Sequence, residues 1–397
     1  MMKVLQLGTI PKEEGGFGET GGVATHVWEL YNELIKKDEI APVIFADNLV
    51  NAFSPYRSKN NIQGFSFTMI IYTIILLRFD LKDIIKISRQ YRYFGITRVL
   101  MMVIYYLNLC SVIKSYDPDI IHAHHLEFRF CVAEIIVKDS IPIVATTHSI
   151  HSLTHSTGNN RDQYHDLLEN CYEKCNNIIF VSDKLKENFK QQFGEFGGRE
   201  TVIYNPVKKT NREAIIKNGF SKDNTLLFVG GFSKRKGLFN AIDAFDAVGD
   251  SLQNTEFIVV GSDNKEKLKK HINNNNINDE NINIEGRVDN IGEYYNKADL
   301  FVLPTESESF GLVFIEAMSY KTPVIGTTGV PEKVIPSEEV GYRINPNDAN
   351  QLAECIQDGL QREWDYDKIQ KHAESFDWES GIEEYIIIIY MFFQFLF

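Results

Sequence analysis

The 397-residue chain is longer than one hydrophobic core normally serves, which points to two domains, and its 44% hydrophobic and 24% charged residues exclude a disordered, collagenous or fibrous protein. A formal net charge of -13 argues against nucleic-acid binding over the whole surface. That total conceals a basic strip, because from Tyr56 to Ser115 nine Lys and Arg stand against two acids, a local charge of +7.

Met1-Met2-Lys3 leads straight into a short apolar run without the pattern of a secretory signal, so a cytoplasmic location is expected. Strands are predicted at residues 4–7, 42–45, 120–123, 143–147, 178–181 and 201–204, most of them separated by helical stretches. Residues 81–97 read as one basic amphipathic helix: Lys82, Lys86, Arg89 and Arg92 recur on one face, and Ile84, Ile87, Tyr91 and Phe94 on another. Residues 99–113 are apolar apart from Asn108 and Ser111, but fall short of the roughly 18–20 residues of a membrane span, so a buried or interfacial helix is expected. The five cysteines lack regular spacing, which argues against a disulfide framework; Cys171 and Cys175 read as small packed residues rather than metal ligands.

After a polar stretch the alternation restarts, with strands predicted at 226–229, 257–260, 282–285, 300–303 and 324–325. The fold class is therefore α/β, two doubly wound Rossmann-like domains: residues 1–207, a linker at 208–223, and 224–377. A final helix near 378–397, apolar throughout 385–393, must bury several faces or touch a membrane, and it is expected to pack back onto the first domain.

Four constellations could carry chemistry. In Pro304 to Met318, a strand runs into a turn bearing Glu306 and Glu308, and Phe310-Gly311-Leu312 then opens a helix. Free N–H groups at a helix start favour an anion such as phosphate, and Glu316, further along that helix, is a suitable acceptor for the vicinal hydroxyls of a ribose. Gly230-Gly231 is followed by Lys234, Arg235 and Lys236, cations at the ligand-binding end of a parallel strand that could neutralise a diphosphate. Gly16, Gly18 and Gly21 spell G-x-G-x-x-G, but the strand ends near Leu7 and the loop is too long for the tight dinucleotide turn. His122, His124 and His125 follow one strand, and His148, His151 and His155 the next; they form a polar wall or, with no Cys or carboxylate set beside them, less readily a metal site. The triplets Asp117-Pro118-Asp119 and Asp365-Tyr366-Asp367 are discounted as metal sites by their positions.

Taken in chain order these pieces resemble the family 4 (group 1) retaining glycosyltransferases, over nearly the whole chain. Gly21-Gly22 with His26-Val27 is similar to the family's glycine loop and helix; Pro118 to His124 and Thr146-Thr147-His148 to successive strand ends; Glu308 and Glu316 to its E-x7-E spacing. The resemblance implies the GT-B fold, two Rossmann-like domains facing across a cleft. It assigns Glu308 to the donor sugar, Glu316 to the ribose, and Lys236, Arg235 and the amides of Phe310, Gly311 and Leu312 to the diphosphate. Arg287-Val288 would receive the base, His148 would line the sugar pocket, and Gly21 and Gly22 would contribute to donor binding. It implies a nucleotide-diphosphate sugar as substrate, UDP-linked in preference to GDP-linked, with no metal or other cofactor. The acceptor would be a glycan or a lipid-linked species in cell-surface polysaccharide or glycoconjugate synthesis. Two positions depart from the family: Gly231 stands where Arg is frequent, and Pro206 where Gly is usual.

The basic strip adds an expected contact of Lys82, Lys86, Arg89 and Arg92 with an anionic membrane, on the inner face of the cell membrane. Other readings of the same residues are a sugar-nucleotide epimerase or hydrolase, a catalytically silent nucleotide-binding subunit, and, from the glycine triplet alone, an NAD oxidoreductase.

Overall fold

The computed structural model describes residues 1–11, 14, 21–50, 62–65, 80–92, 95–125, 128–138, 140–150, 166, 168–169, 173–195, 198–208, 224–252, 254–261 and 265–393. The chain forms two compact units, Met1–Tyr204 with Gly381–Phe397, and Asn205–Ser380. One local rule builds both. Short Val, Ile, Leu and Phe runs buried on both faces become parallel strands, and amphipathic stretches between them become the covering helices.

In the first unit the strands are β1 (Met2–Gly8), β2 (Ile40–Val50), β3 (Ile62–Phe65), β4 (Ile120–His124), β5 (Ile143–Thr147), β6 (Asn177–Phe180) and β7 (Arg199–Val202). They lie in the order β3-β2-β1-β4-β5-β6-β7, every pairing parallel. Its described helices are α1 (Gly22–Ile35), α2 (Leu81–Tyr91), α3 (Ile96–Tyr116), α4 (Phe128–Val137) and α5 (Asp183–Phe193). Both β4 and β5 are buried at every position. Helix α1 turns Ala24, His26, Val27, Leu30, Tyr31 and Leu34 inward, the three-and-four spacing of one helical face.

The second unit holds β8 (Asn224–Gly230), β9 (Thr255–Gly261), β10 (Ile282–Gly286), β11 (Leu300–Val302), β12 (Val324–Thr327) and β13 (Gly341–Ile344), ordered β10-β9-β8-β11-β12-β13 and again parallel. Its described helices are α6 (Leu238–Ala247), α7 (Lys265–Asn275), α8 (Ile291–Lys297), α9 (Leu312–Ser319), α10 (Ala349–Gln361) and α11 (Tyr366–Glu374). In both sheets the winding reverses beside the first strand, between β1 and β4 and between β8 and β11. In an open α/β sheet, ligands usually bind outside the carboxyl ends of the strands at such a reversal.

Several expectations are corrected. The single helix over 81–97 is two helices: α2 stops at Tyr91, and Gly95, at φ 90, precedes α3. A residue with that backbone angle cannot continue a right-handed helix. Helix α3 has 21 residues and, among the described residues, is the one helix long and apolar enough to cross a membrane. It is a core helix over its second half, where Tyr105, Tyr106, Leu109 and Val112 are buried. Strands β3 and β13 were not anticipated, and Cys131 is disulfide-bonded while Cys110, Cys175 and Cys355 are free.

The last helix, α12 (Trp378–Phe393), packs one face of its apolar run against protein and leaves Ile387 and Met391 exposed. Tyr385, Ile388, Ile389 and Phe392 are buried. Glu383 pairs with Lys37 at 2.6 Å, the Tyr390 hydroxyl donates to Glu39 at 2.5 Å, and Arg199 lies over the Phe392 ring. Residues 394–397 lie outside the described residues.

Candidate active site

In the second unit, β8 ends in Gly230 and the chain forms a single 3-10 turn, Lys234–Lys236, before α6. The loop after β11 runs from Leu303 to Gly311. These two loops touch backbone to backbone. Gly237 adopts φ +72, and a Cβ there would stand 2.2 Å from the carbonyl oxygen of Pro304, so no other residue fits without displacement. The contact is stitched by Glu306 N donating to Arg235 O at 2.8 Å, the Arg235 guanidinium donating to Ser307 O at 2.7 Å, and Thr305 Oγ1 donating to Arg235 O at 3.2 Å.

A third loop, after β12, closes on the same turn. Glu308 N donates to Gly329 O at 3.0 Å, Thr327 Oγ1 donates to Thr305 O, and Gly329 N donates to Thr327 Oγ1 at 2.9 Å. A Cβ on Gly329 would lie 2.3 Å from Glu306 O. The outcome is a fixed carboxylate: Glu308, 12% exposed, receives Lys236 Nζ at 2.6 Å, with Arg235 Nη1 at 3.9 Å. Arg235 is thereby the anchor of the Glu308-bearing turn, and Lys236 is the cation of the triplet that reaches its carboxylate. Lys234 is exposed.

The helix that follows starts at this turn. Gly311 is the N-cap of α9 in a left-handed conformation, with no side-chain cap, and Leu312 is the first helical residue. The leading amides of such a helix have no acceptor within it and carry the positive end of its dipole. Glu316, half-buried on α9, accepts from the buried Tyr295 hydroxyl at 2.9 Å. Burial, with the carboxylate beside it, pushes the Tyr295 phenol well above its ordinary range, so Tyr295 stays a donor. Arg287 is exposed and Val288 half-buried at the carboxyl end of β10.

The first unit has its own polar constellation at the corresponding sheet edge. His122 and His124 point to one side of β4, as residues two apart on a strand do, and His124 pairs in register with Thr146. His148 stands just beyond β5, and His26 reaches in from α1. His124 Nδ1 and His148 Nε2 are 3.2 Å apart, His122 Nε2 and Thr146 Oγ1 2.8 Å, and Tyr385 Oη of α12 and His26 Nε2 3.2 Å. Burial pushes His26, His122 and His125 down to about 3, helped at His26 by His122 and at His125 by Arg129. Burial also holds His124 and His148 well below their usual range, and the neighbouring histidines add to it. All five are neutral imidazoles near pH 7. His151, His155 and the glycines at 15–20 lie outside the described residues, while Gly21 is the exposed N-cap of α1 and Gly22 its exposed first residue.

On the outer side of the first unit, α2 presents Lys82, Lys86, Arg89 and Arg92 to solvent. Its inner face buries Ile87 and Tyr91, as the periodicity requires, and also Asp83, which accepts from the Tyr106 hydroxyl at 3.0 Å and pairs with Lys138 at 3.1 Å. Lys86 lies 3.5 Å from Glu134. Large apolar side chains are exposed on α2 (Leu81 and Ile85) and on α3 (Ile96, Leu100 and Met101).

Sequence reasoning missed Tyr295, Thr305, Thr327 and Gly329, which hold the two glutamates, and the entry of His26 and Tyr385 into the histidine cluster. For Thr327-Thr328-Gly329 a signal existed, a polar Gly turn at the carboxyl end of a strand. For Tyr295 and Tyr385 there was none.

Comparison with known proteins gives the following. A family model described as "Glycosyl transferases group 1" matches residues 210–376, and one described as "Glycosyltransferase Family 4" matches residues 20–210. An uncharacterized glycosyltransferase, MJ1178, of Methanocaldococcus jannaschii is 28% identical over 282 residues, covering 68% of this chain and 75% of that one. A phosphatidyl-myo-inositol mannosyltransferase of Mycobacterium leprae is 27% identical over 249 residues, 60% of this chain and 63% of that one. Among solved structures, a sucrose-phosphate synthase from Thermosynechococcus elongatus superposes with a TM-score of 0.73 at 19% identity, covering 99% of each chain. The Anabaena protein Alr3699/HepE, solved with UDP-glucose, gives a TM-score of 0.68 at 19% identity over 98% of this chain and 100% of that one.

Proposed function

The chain belongs to the group 1, family 4 glycosyltransferases of GT-B fold, and from that premise we propose a retaining enzyme that moves a sugar from a nucleotide-diphosphate sugar, UDP-linked in preference to GDP-linked, to a glycan or lipid-linked acceptor in cell-surface polysaccharide synthesis. The observation that carries the donor assignment is the Lys236–Glu308 pair at 2.6 Å beside the start of α9. The likeness to a protein solved with UDP-glucose supports the choice of donor.

The diphosphate sits against the leading amides of α9 and draws the Lys236 ammonium toward itself, which frees the Glu308 carboxylate to accept from hydroxyls of the donor sugar. Glu316, oriented by the Tyr295 hydroxyl, accepts from the ribose. The bond from the anomeric carbon to the diphosphate oxygen breaks as the acceptor hydroxyl attacks from the same face, and the departing diphosphate takes the hydroxyl proton. Lys236 and the helix amides stabilise the charge that develops on the leaving group, the role a metal plays in other transferases. The resemblance assigns His148, a neutral imidazole, to the donor sugar.

A panel of nucleotide sugars scored by thermal stabilisation and slow donor hydrolysis tests the site. Glu308→Ala should lose turnover by two orders of magnitude or more, and full activity in that variant would overturn the assignment. Gly231, where the resemblance expects Arg, favours a second reading, a silent nucleotide-binding subunit. That reading predicts donor binding without turnover.

The membrane part of the proposal rests on charge and exposure together. Lys82, Lys86, Arg89 and Arg92 are exposed on and just after α2, and so are the apolar Leu81 and Ile85 of α2 and Ile96, Leu100 and Met101 of α3, a combination that suits an anionic bilayer. Each basic residue near such a surface contributes about 1 kcal/mol, so three or four give reversible attachment. Flotation with anionic vesicles should recover the protein, and neutral vesicles should not; equal binding to both, or to neither, refutes it.

A further inference from the structure

Three imidazoles from three different elements of the first unit meet: His26 of α1, His124 at the end of β4 and His148 just beyond β5. Each offers a ring nitrogen, all three lie within 4.8 Å of one another, and all three side chains are buried. The His124–His148 nitrogens are 3.2 Å apart, and the ring centroids are separated by 5.0, 5.5 and 5.8 Å. In a tetrahedral zinc site, with metal–nitrogen bonds of about 2.0–2.1 Å, ligand nitrogens stand about 3.3–3.4 Å apart. One pair is already at that spacing, and closing the set needs a shift of about 1.5 Å at most.

We propose that His26, His124 and His148 form a binding site for a divalent transition-metal ion of the zinc class, with a water oxygen as fourth ligand, and that filling it inhibits glycosyl transfer. The metal takes the nitrogen of His148, which is then lost to the sugar pocket; this inhibitory half rests on the function proposed above, and the binding half does not. Three features fit. Imidazoles without carboxylates select zinc, copper, nickel or cobalt over magnesium and calcium. His124 offers Nδ1, the atom 3.2 Å from His148 Nε2, and its buried Nε2, without a hydrogen-bond partner among the described residues, is left to carry the ring proton. Tyr385, 3.2 Å from His26 Nε2, is the outer partner that fixes the orientation of a ligand ring. The Arg129 guanidinium, which donates to His124 O at 2.9 Å, opposes a dication, so binding is expected to be micromolar and reversible by chelators.

Chelator-treated full chain titrated with cobalt(II) tests the proposal by visible absorption. Wild type should take up one equivalent with the intense band of a four-coordinate ion, and zinc should displace it. His124→Gln and His26→Gln should each weaken uptake by more than about tenfold. His122→Gln, whose ring centroid is 4.5 Å from that of His124 but which lies outside the triad, should retain it and so reports on folding. No cobalt band in wild type, or uptake unchanged in both ligand variants, overturns the site. Uptake with donor turnover unaffected by saturating zinc overturns the inhibitory half alone, and a protein with no turnover at all, metal-free or loaded, points instead to failure of the transferase reading.

Discussion

Gly237→Ala isolates the backbone contact on which the donor site depends. The new methyl would stand 2.2 Å from Pro304 O, whereas real Cβ contacts under 3.0 Å are essentially never found, so the two loops must part by about 1 Å. Holding a residue with a Cβ at φ +72 costs about 1–2 kcal/mol, and relieving the overlap about 1–3 kcal/mol more. The smaller freedom of alanine in the unfolded chain returns about 0.4–1 kcal/mol, leaving a net loss of about 1–4.6 kcal/mol. For a unit of this size that lowers the melting temperature by about 2–18 °C. The turn that moves carries Glu306, Ser307 and Glu308, whose bonds to Arg235 and Lys236 are made across this contact. A displacement of about 1 Å at reacting groups can cost about 100-fold in rate. Differential scanning calorimetry and donor-hydrolysis kinetics measure both effects. Gly249→Ala is the control, since an added Cβ there meets nothing within 4 Å. A Gly237→Ala protein that melts and turns over like the Gly249→Ala protein would refute the argument.

Tyr295→Phe removes the donor to Glu316, a charge-assisted bond of about 1.5–3 kcal/mol, and should raise KM for the nucleotide sugar by about tenfold or more; unchanged KM contradicts the ribose assignment. Gly231→Arg places a second cation beside Lys236 and should raise kcat/KM by about tenfold, whereas a fall or no change removes the departure from the family pattern as a cause of low activity. Acid should destabilise the first unit earlier than its carboxylates would. His26, His122 and His125 have native values near 3 against an ordinary 6.5, so below pH 6.5 the unfolded chain takes protons that the fold refuses. Their contribution is present in full above 6.5 and is lost as pH falls toward 3, about 1.4 kcal/mol per pH unit for each histidine acting alone. Urea midpoints measured from pH 8 to pH 5 should drop across that window, and a flat profile would show that the rings are not held neutral.

The parts of this protein that could be read from sequence are those set by local pattern. Continuous apolar runs such as Ile143–Thr147 became strands because burial on both faces demands no polar position, and the restart after the polar stretch near residue 208 announced a second sheet. Glu308, Glu316, Lys236 and Gly311 were identifiable because each lies within a short loop-to-helix segment whose meaning is local. Strands β3 and β13 escaped because each has only four residues and each contains a Gly. Gly95 was visible, yet nothing within the run predicted that it would divide α2 from α3. Asp83 carries no local signal of burial, but Tyr106 and Lys138, 23 and 55 residues away in sequence, hold it inside.

By itself, then, the sequence determined the two doubly wound units and the residues with ligand chemistry, since alternation of apolar and amphipathic segments and turn composition act over a few residues. Tertiary structure alone decided which of those residues act together. Lys236 meets Glu308 across 72 positions, Tyr295 meets Glu316 across 21, and Tyr385 reaches His26 across 359. A hydrogen bond is set by angstrom-scale distances between side chains on separate elements, and those distances exist only once the sheets have ordered their strands and the helices have packed upon them.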